Sequence, residues 1–180
     1  MINQVNTSGF LASYGGSSRS GNSSGPINVQ QDSLDFFLRR KEDLVFCLFS
    51  EIKAAMSRHV LEGYDVTQPV VDRVLYLLGG MVRYGIEHPR EFLLMDQLAL
   101  VPFIHERAKS DVPALVAALK QVLIDATQQH LLKAMPPGVI LALISGAMDA
   151  LVEAHMRQQI HLDQATIEQA MLACWDAIKR

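Results

Sequence analysis

The sequence predicts an all-α domain. Three observations carry that expectation. Apolar residues recur at spacings of three and four along most of the chain from Ser33 onward. Nearly every such stretch is bounded by a cap residue, a glycine or a proline. No alternating run of convincing strand length interrupts them. When periodicity and boundary signals agree, each supports the other.

The elements follow in order. Residues 1–31 are rich in Ser, Gly and Asn, and Arg19 is their only charge. Such a composition buries too little surface to offset chain entropy, so they read as a flexible tail ahead of a helical domain over 32–180. One short apolar patch, Phe10-Leu11-Ala12, is able to dock on a partner or on the chain itself. Asp32 or Ser33 caps a first long helix, with Asp35 favourable in its first turn. Leu34, Phe37, Leu38, Val45, Leu48, Phe49, Ile52, Met56 and Val60 mark its apolar face, and Gly63 ends it.

A second helix starts near Thr67 with Pro69 in its first turn. Its inner face is Val70, Val71, Val74, Leu78, Met81, Val82 and Gly85, and His88-Pro89 closes it. A shorter helix carries Phe92, Leu94, Met95 and Leu98 before Pro102 bends the chain into a helical turn at 103–106. Asp111 caps the next helix, whose stripe runs through Leu115, Leu119, Val122 and Ala126, and Pro136-Pro137 separates it from its successor.

The following helix, over about 137–157, is apolar on most of its circumference. Its polar stripe is narrow: Ser145, Asp149, Glu153 and Arg157, with Glu153 and Arg157 spaced for an ion pair. Such a helix must be covered on nearly all sides. The last helix begins after Asp163 and carries Ile167, Met171, Cys174, Trp175 and Ile178. Small residues on its partner, Ala142, Gly146, Ala147 and Ala150, permit close approach. Two such helices from each of two chains would make a four-helix bundle with two-fold symmetry. The interface is then expected at Ala142, Gly146, Ala147, Ala150, Ile167, Met171, Trp175 and Ile178, the alternative being packing within one chain.

Composition excludes some functions. Apolar residues make up 49%, enough for a sizeable core, and the net charge of −3 argues against attachment to nucleic acid or membrane through bulk charge. Cys47 and Cys174 lie in apolar helical patterns and read as buried free thiols. The N-terminus lacks the pattern of a secretory signal, and the apolar run 139–148 is too short for a membrane helix, so a cytoplasmic protein without membrane attachment is expected.

No catalytic arrangement stands out. There is no phosphate-binding Gly-rich loop, no His-Glu-x-x-His and no Cys-x-x-Cys. None of the six histidines, His59, His88, His105, His130, His155 and His161, pairs at a four-residue spacing. His105-Glu106 reads as a surface or capping pair, and Ser145, Asp149 and His155 do not converge as a triad. The expectation is no enzyme, no cofactor and no metal.

Residues 34–44, Leu-Asp-Phe-Phe-Leu-Arg-Arg-Lys-Glu-Asp-Leu, resemble the end of a recognition helix and the start of the next helix in the tetracycline-repressor (TetR) family. His88-Pro89 through Phe92, then Pro102-Phe103-Ile104, resemble the middle of that family's effector domain. Pro136-Pro137 before an apolar helix containing Gly146-Ala147 does so too. The resemblance implies a dimeric transcriptional regulator with a small apolar effector bound among its central helices. Tyr76, Met81, Tyr84, Phe92, Met95 and Phe103 come from that region and also read as ordinary core. Lys41 matches a DNA-backbone contact.

The family's helix-turn-helix head has no counterpart, because the Ser/Gly-rich segment stands in its place. Asp35 replaces a usual phosphate-contacting tyrosine, and a carboxylate there faces phosphate repulsion. The first helix is therefore expected to run unbroken through the old junction. A regulator acting through a protein partner is the alternative, and a small-molecule binding protein the third reading.

Overall fold

The computed structural model describes residues 29–108 and 113–180. Phe10-Leu11-Ala12, most of the expected tail and the expected cap Asp111 lie outside the described residues. Among the described residues seven helices follow one another: α1 (Val29–Leu61), α2 (Val70–Glu87), α3 (Pro89–Ala99), α4 (Pro102–Ala108), α5 (Ala114–Gln128), α6 (Pro137–Met156) and α7 (Gln164–Ile178). Among the described residues the β contribution is a single isolated antiparallel bridge, Leu132 to Lys179. It fastens the chain after α5 to the end of α7 through Lys133 N–H to Ile178 O at 2.9 Å and Arg180 N–H to Leu131 O at 2.8 Å.

The boundaries have local causes. Gly63 adopts φ +76° just past α1, a conformation that costs glycine nothing. Pro69 and Pro113 stand at the N-cap rather than inside the first turn of α2 and α5. Asp163 caps α7, its Oδ1 accepting from Thr166 N–H at 2.8 Å. α5 and α6 each end with a left-handed residue that is not glycine, His130 at φ 56° and Gln158 at φ 58°. At both ends the next N–H bonds back to the third-last helical carbonyl: Leu131 to Ala126 and Gln159 to Ala154, each at 2.9 Å.

α2 is the central element and packs against α1, α3, α5, α6 and α7. Its periodicity suggested one inner face, yet Arg73, Leu77, Gly79, Gly80 and Tyr84 are buried as well. Two glycines let neighbours close on it. A Cβ on Gly80 would stand 2.9 Å from Val60 Cγ1, and one on Gly85 would stand 2.9 Å from both Val152 methyls.

α1 runs through the expected junction without a break. Its buried side begins only at Phe49 and continues through Ile52, Met56 and Val60. Phe37, Leu38 and Leu48, expected on that inner face, are exposed, as are Phe36 and Leu44. Residues 36–44 lie ahead of the stretch of α1 that other described helices bury, and Leu48 stands at the rim of a groove between α1 and α3. Helix α4 reaches α1 through Arg107, whose Nη1 stands 2.7 Å from Asp43 Oδ1 and whose guanidinium lies 4.4 Å from the centre of the Phe46 ring. Cys47 stands two residues before the buried Phe49, on the opposite side of the helix, and is exposed, which corrects its reading as a buried thiol. Cys174 is half-buried, and burial pushes its pKa up.

Candidate functional site

α6 is where sequence pattern and burial diverge most. It is long and apolar enough to cross a membrane, but Ile140, Ile144, Met148 and Val152 form a stripe in the domain core. The opposite face is left open by the described residues. Val139, Leu141, Ala142, Leu143, Gly146 and Ala150 are all exposed there, with Leu143 at 50%. A Cβ added to Gly146 would find no atom within 4 Å. Ala147, at the edge of this face, is half-buried. Glu153 and Arg157 continue it as the expected ion pair at 3.0 Å.

The other half of the expected interface is corrected. Ile167, Met171, Trp175 and Ile178 belong to the chain's own core, none more than 6% exposed. They meet α2 rather than a second copy, because α7 turns its large residues toward the central helix. Its outward residues include Ala165, Gln169, Leu172 and Ala173. Periodicity identified the apolar face of α7 but not which body it packs on.

The six residues drawn together as an effector pocket separate in the structure. Met81, Tyr84, Phe92 and Met95 are part of, or packed against, the core. Tyr76 is at the surface, its hydroxyl donating to Glu62 O, and Phe103 is half-buried on α4. Burial, then the hydrogen bond to Glu91, raise the Tyr84 pKa well above that of an ordinary phenol. Three surface grooves lie elsewhere. One of about 650 Å³ is lined by Ile86, Pro89 and residues 155–161, except Arg157. One of about 360 Å³ runs between α1 and α3, from Leu48 and Ile52 to Arg90 and Leu94. One of about 240 Å³ lies between α2 and α7, beside Gly79 and Arg83.

Lys41 is exposed on α1 between Arg40 and Glu42. The Arg40 guanidinium sits 4.7 Å from the centre of the Phe36 ring. Acidic neighbours Glu42 and Asp43 are exposed beside it, so this turn of α1 carries charges of both signs.

One constellation had no signal in the sequence. His59 from α1 meets Glu87 and His88 from the end of α2. His59 Nε2 stands 3.5 Å from Glu87 Oε2, and one donor atom from each of the three lies within 4.8 Å of the others. His88 Nδ1 faces Glu91 Oε1 at 3.8 Å, and Glu91 in turn accepts from the Tyr84 hydroxyl. The Tyr84 ring packs against both imidazoles, at 5.5 Å from His59 and 4.6 Å from His88 between centroids. The histidines are 29 positions apart, so no helical spacing rule could pair them.

Residues 49–180 match the family of tetracyclin repressor-like C-terminal domains. The chain belongs to this family. Its fold is shared with TetR regulators of known structure. A TetR family transcription regulator from Marinobacter aquaeolei VT8 matches at TM-score 0.65 and 18% identity, over 76% of this chain and 71% of that one. A protein assigned to the same family from Shewanella sp. PV-4 matches at TM-score 0.68 and 13% identity, over 83% and 80%. At these identities the likeness is one of fold. No curated protein matches the sequence. The TetR match begins at Phe49, which is also where α1 becomes buried. The exposed stretch 36–44 of α1 thus precedes the matched domain.

Proposed function

We propose that this chain acts as a dimeric regulatory domain of the TetR type, two copies meeting across the outer face of α6. The carrying observation is that α6 has two apolar faces and the described residues of its own chain cover only one. Ala142, Gly146 and Ala150 make the open face shallow, which suits close helix approach, and Ala147 flanks it. Leu172 of α7 extends the apolar surface. Sedimentation velocity on the full chain tests this reading. A dimer at micromolar concentration is expected, and a monomer throughout that range would overturn it.

Effector binding among the central helices belongs to the same proposal. Tyr84 and Phe92 fill the core, so an apolar ligand there would have to displace packed side chains and shift α2 against α3. Thermal shift with a panel of small apolar compounds, compared between the wild type and Phe92→Ala, reads it out. A stabilising compound that ignores Phe92→Ala would move the site elsewhere.

A second reading is favoured by the stripe on α1. Phe36, Phe37, Leu38, Leu44 and Leu48 are exposed ahead of the matched domain. Such a surface suits a protein partner better than duplex DNA, since apolar side chains gain nothing from phosphates. Gel shift on the DNA flanking its own gene separates the two readings. Binding at low salt that weakens with Lys41→Ala supports direct DNA contact. Its absence supports regulation through a partner.

A further inference from the structure

We propose that His59, Glu87 and His88 form a binding site for a divalent transition-metal ion, zinc being the chemistry that fits best. Two imidazole nitrogens and one carboxylate oxygen are a donor set that suits zinc and its neighbours rather than magnesium or calcium, which prefer oxygen alone. Donors bound to one tetrahedral zinc stand roughly 3.4 Å apart. His59 Nε2 and Glu87 Oε2 are already 3.5 Å apart. With one donor atom of each within 4.8 Å of the others, closing on an ion takes only small rotations of three side chains, none of them fully buried.

The surroundings add to the case. Metal-bound histidines characteristically have the other ring nitrogen held by a carboxylate, which fixes tautomer and orientation. Glu91 lies on the Nδ1 side of His88, and the Tyr84 hydroxyl holds Glu91 in turn. Tyr84 is 1% exposed, so this supporting arm is anchored in the core. His88 is both the C-cap of α2 and the N-cap of α3, with Pro89 opening the next helix. Its backbone position is therefore set by two helices. Three protein donors leave a coordination position for water or for an exogenous ligand.

The placement has a consequence for the fold. His59 belongs to α1, whereas Glu87 and His88 belong to the α2–α3 junction. A bound ion would link α1 to that junction, two residues before α1 ends at Leu61. It would lower the freedom of α1 against the α2–α3 junction and stabilise the folded chain. The site stands apart from the outer face of α6, and its occupancy is read on a single chain, so it does not depend on the dimer.

The test is calorimetric titration of Zn2+ into the chelator-treated full chain. One ion per chain at micromolar affinity or tighter is expected, with a zinc-dependent rise in melting temperature. His59→Gln and His88→Gln should each weaken binding at least tenfold, and the double variant should remove both the uptake and the thermal shift. His155→Gln/His161→Gln, altering the other close imidazole pair, should bind as the wild type does. Equal uptake by wild type and His59→Gln/His88→Gln, loss on altering His155 and His161, or no uptake at millimolar zinc would each overturn the site. Co2+ gives a readout without any variant. Visible d–d bands without thiolate charge transfer support the His/Glu donor set, and a thiolate band would place the ion on Cys47 or Cys174 instead.

Discussion

Arg73 Nη1 lies 2.8 Å from Asp125 Oδ2, joining α2 to α5 across 52 residues of sequence. The same guanidinium donates through Nε to the Tyr64 hydroxyl at 3.0 Å, with its carbon 5.9 Å from the Tyr64 ring centre. Tyr64 lies in the turn after α1, so one buried cation ties three segments together. Its hydrogen bond to Tyr64 and its pairing with Asp125 raise the Arg73 pKa against the opposing effect of burial. Arg73→Met keeps the stem and removes the donors. The expected loss is about 1–3 kcal/mol, the cost of leaving the partners of a buried group unmatched. Urea denaturation measures it, and an unchanged midpoint would show that the pair contributes nothing net.

Asp125 adds an acid-side prediction. Hydrogen bonds from Gln121 and then Arg73 lower its carboxyl pKa below the usual 3.8. A lowered folded-state pKa gives stability that is complete above the unfolded value and is lost as pH falls through the folded value. Asp125→Asn should therefore lower the melting temperature at neutral pH, with the difference from wild type shrinking as pH falls below 3.8 and gone only below the lowered folded-state value. A difference that persists in strong acid would assign the effect to shape rather than charge.

Asp149 runs the opposite way. Burial, then repulsion from Asp96 and Glu153, raise its pKa above 3.8. The native chain then holds this proton more tightly than the unfolded chain, so the ionised group costs stability at neutral pH and the cost fades as pH falls through the raised value. Asp149→Asn should stabilise at pH 7 by on the order of a few tenths of a kcal/mol, since solvent screens a half-exposed group. Melting curves at pH 7 and pH 4 check it; the gain should shrink at the lower pH.

Gly85 is a packing prediction. A methyl there would stand 2.9 Å from both Val152 methyls and 3.0 Å from Phe92 Cδ2, all buried. Gly85→Ala should cost about 1–3 kcal/mol through overpacking of α2 against α6 and α3. Combining it with Val152→Ala should cost less than the two separate losses added together, because each relieves the other. Strict additivity in chemical denaturation would show that α2 and α6 adjust independently.

Gly146 separates assembly from folding. Apart from its neighbours and the local backbone of α6, no atom of the described residues lies within 4 Å of a Cβ placed there. Gly146→Leu should leave the monomer's fold intact and crowd the proposed two-fold face by about 1–3 kcal/mol. That corresponds to roughly a tenfold to hundredfold rise in the dimer dissociation constant. Sedimentation velocity reads it, with circular dichroism as the folding control. An unchanged dimer places the interface elsewhere.

The sequence by itself determined the helices and where they stop. Spacing, Gly63, the prolines and the Asp163 cap are local signals, and each acts within a few residues of the backbone it shapes. It also established that α6 is apolar on more than one side. What only the tertiary structure decided is which face meets which body. Ile167 and Trp175 serve the chain's own core, while Gly146 and Leu143 stay open. Leu38 and Leu48 are exposed, though they share an apolar pattern with Ile52 and Met56. Periodicity reports that a face is apolar but carries no information on its neighbour, which depends on contacts between residues far apart in the chain. His59 meets Glu87 and His88 for the same reason. Two helices bring them together, and nothing in the local order of residues records it.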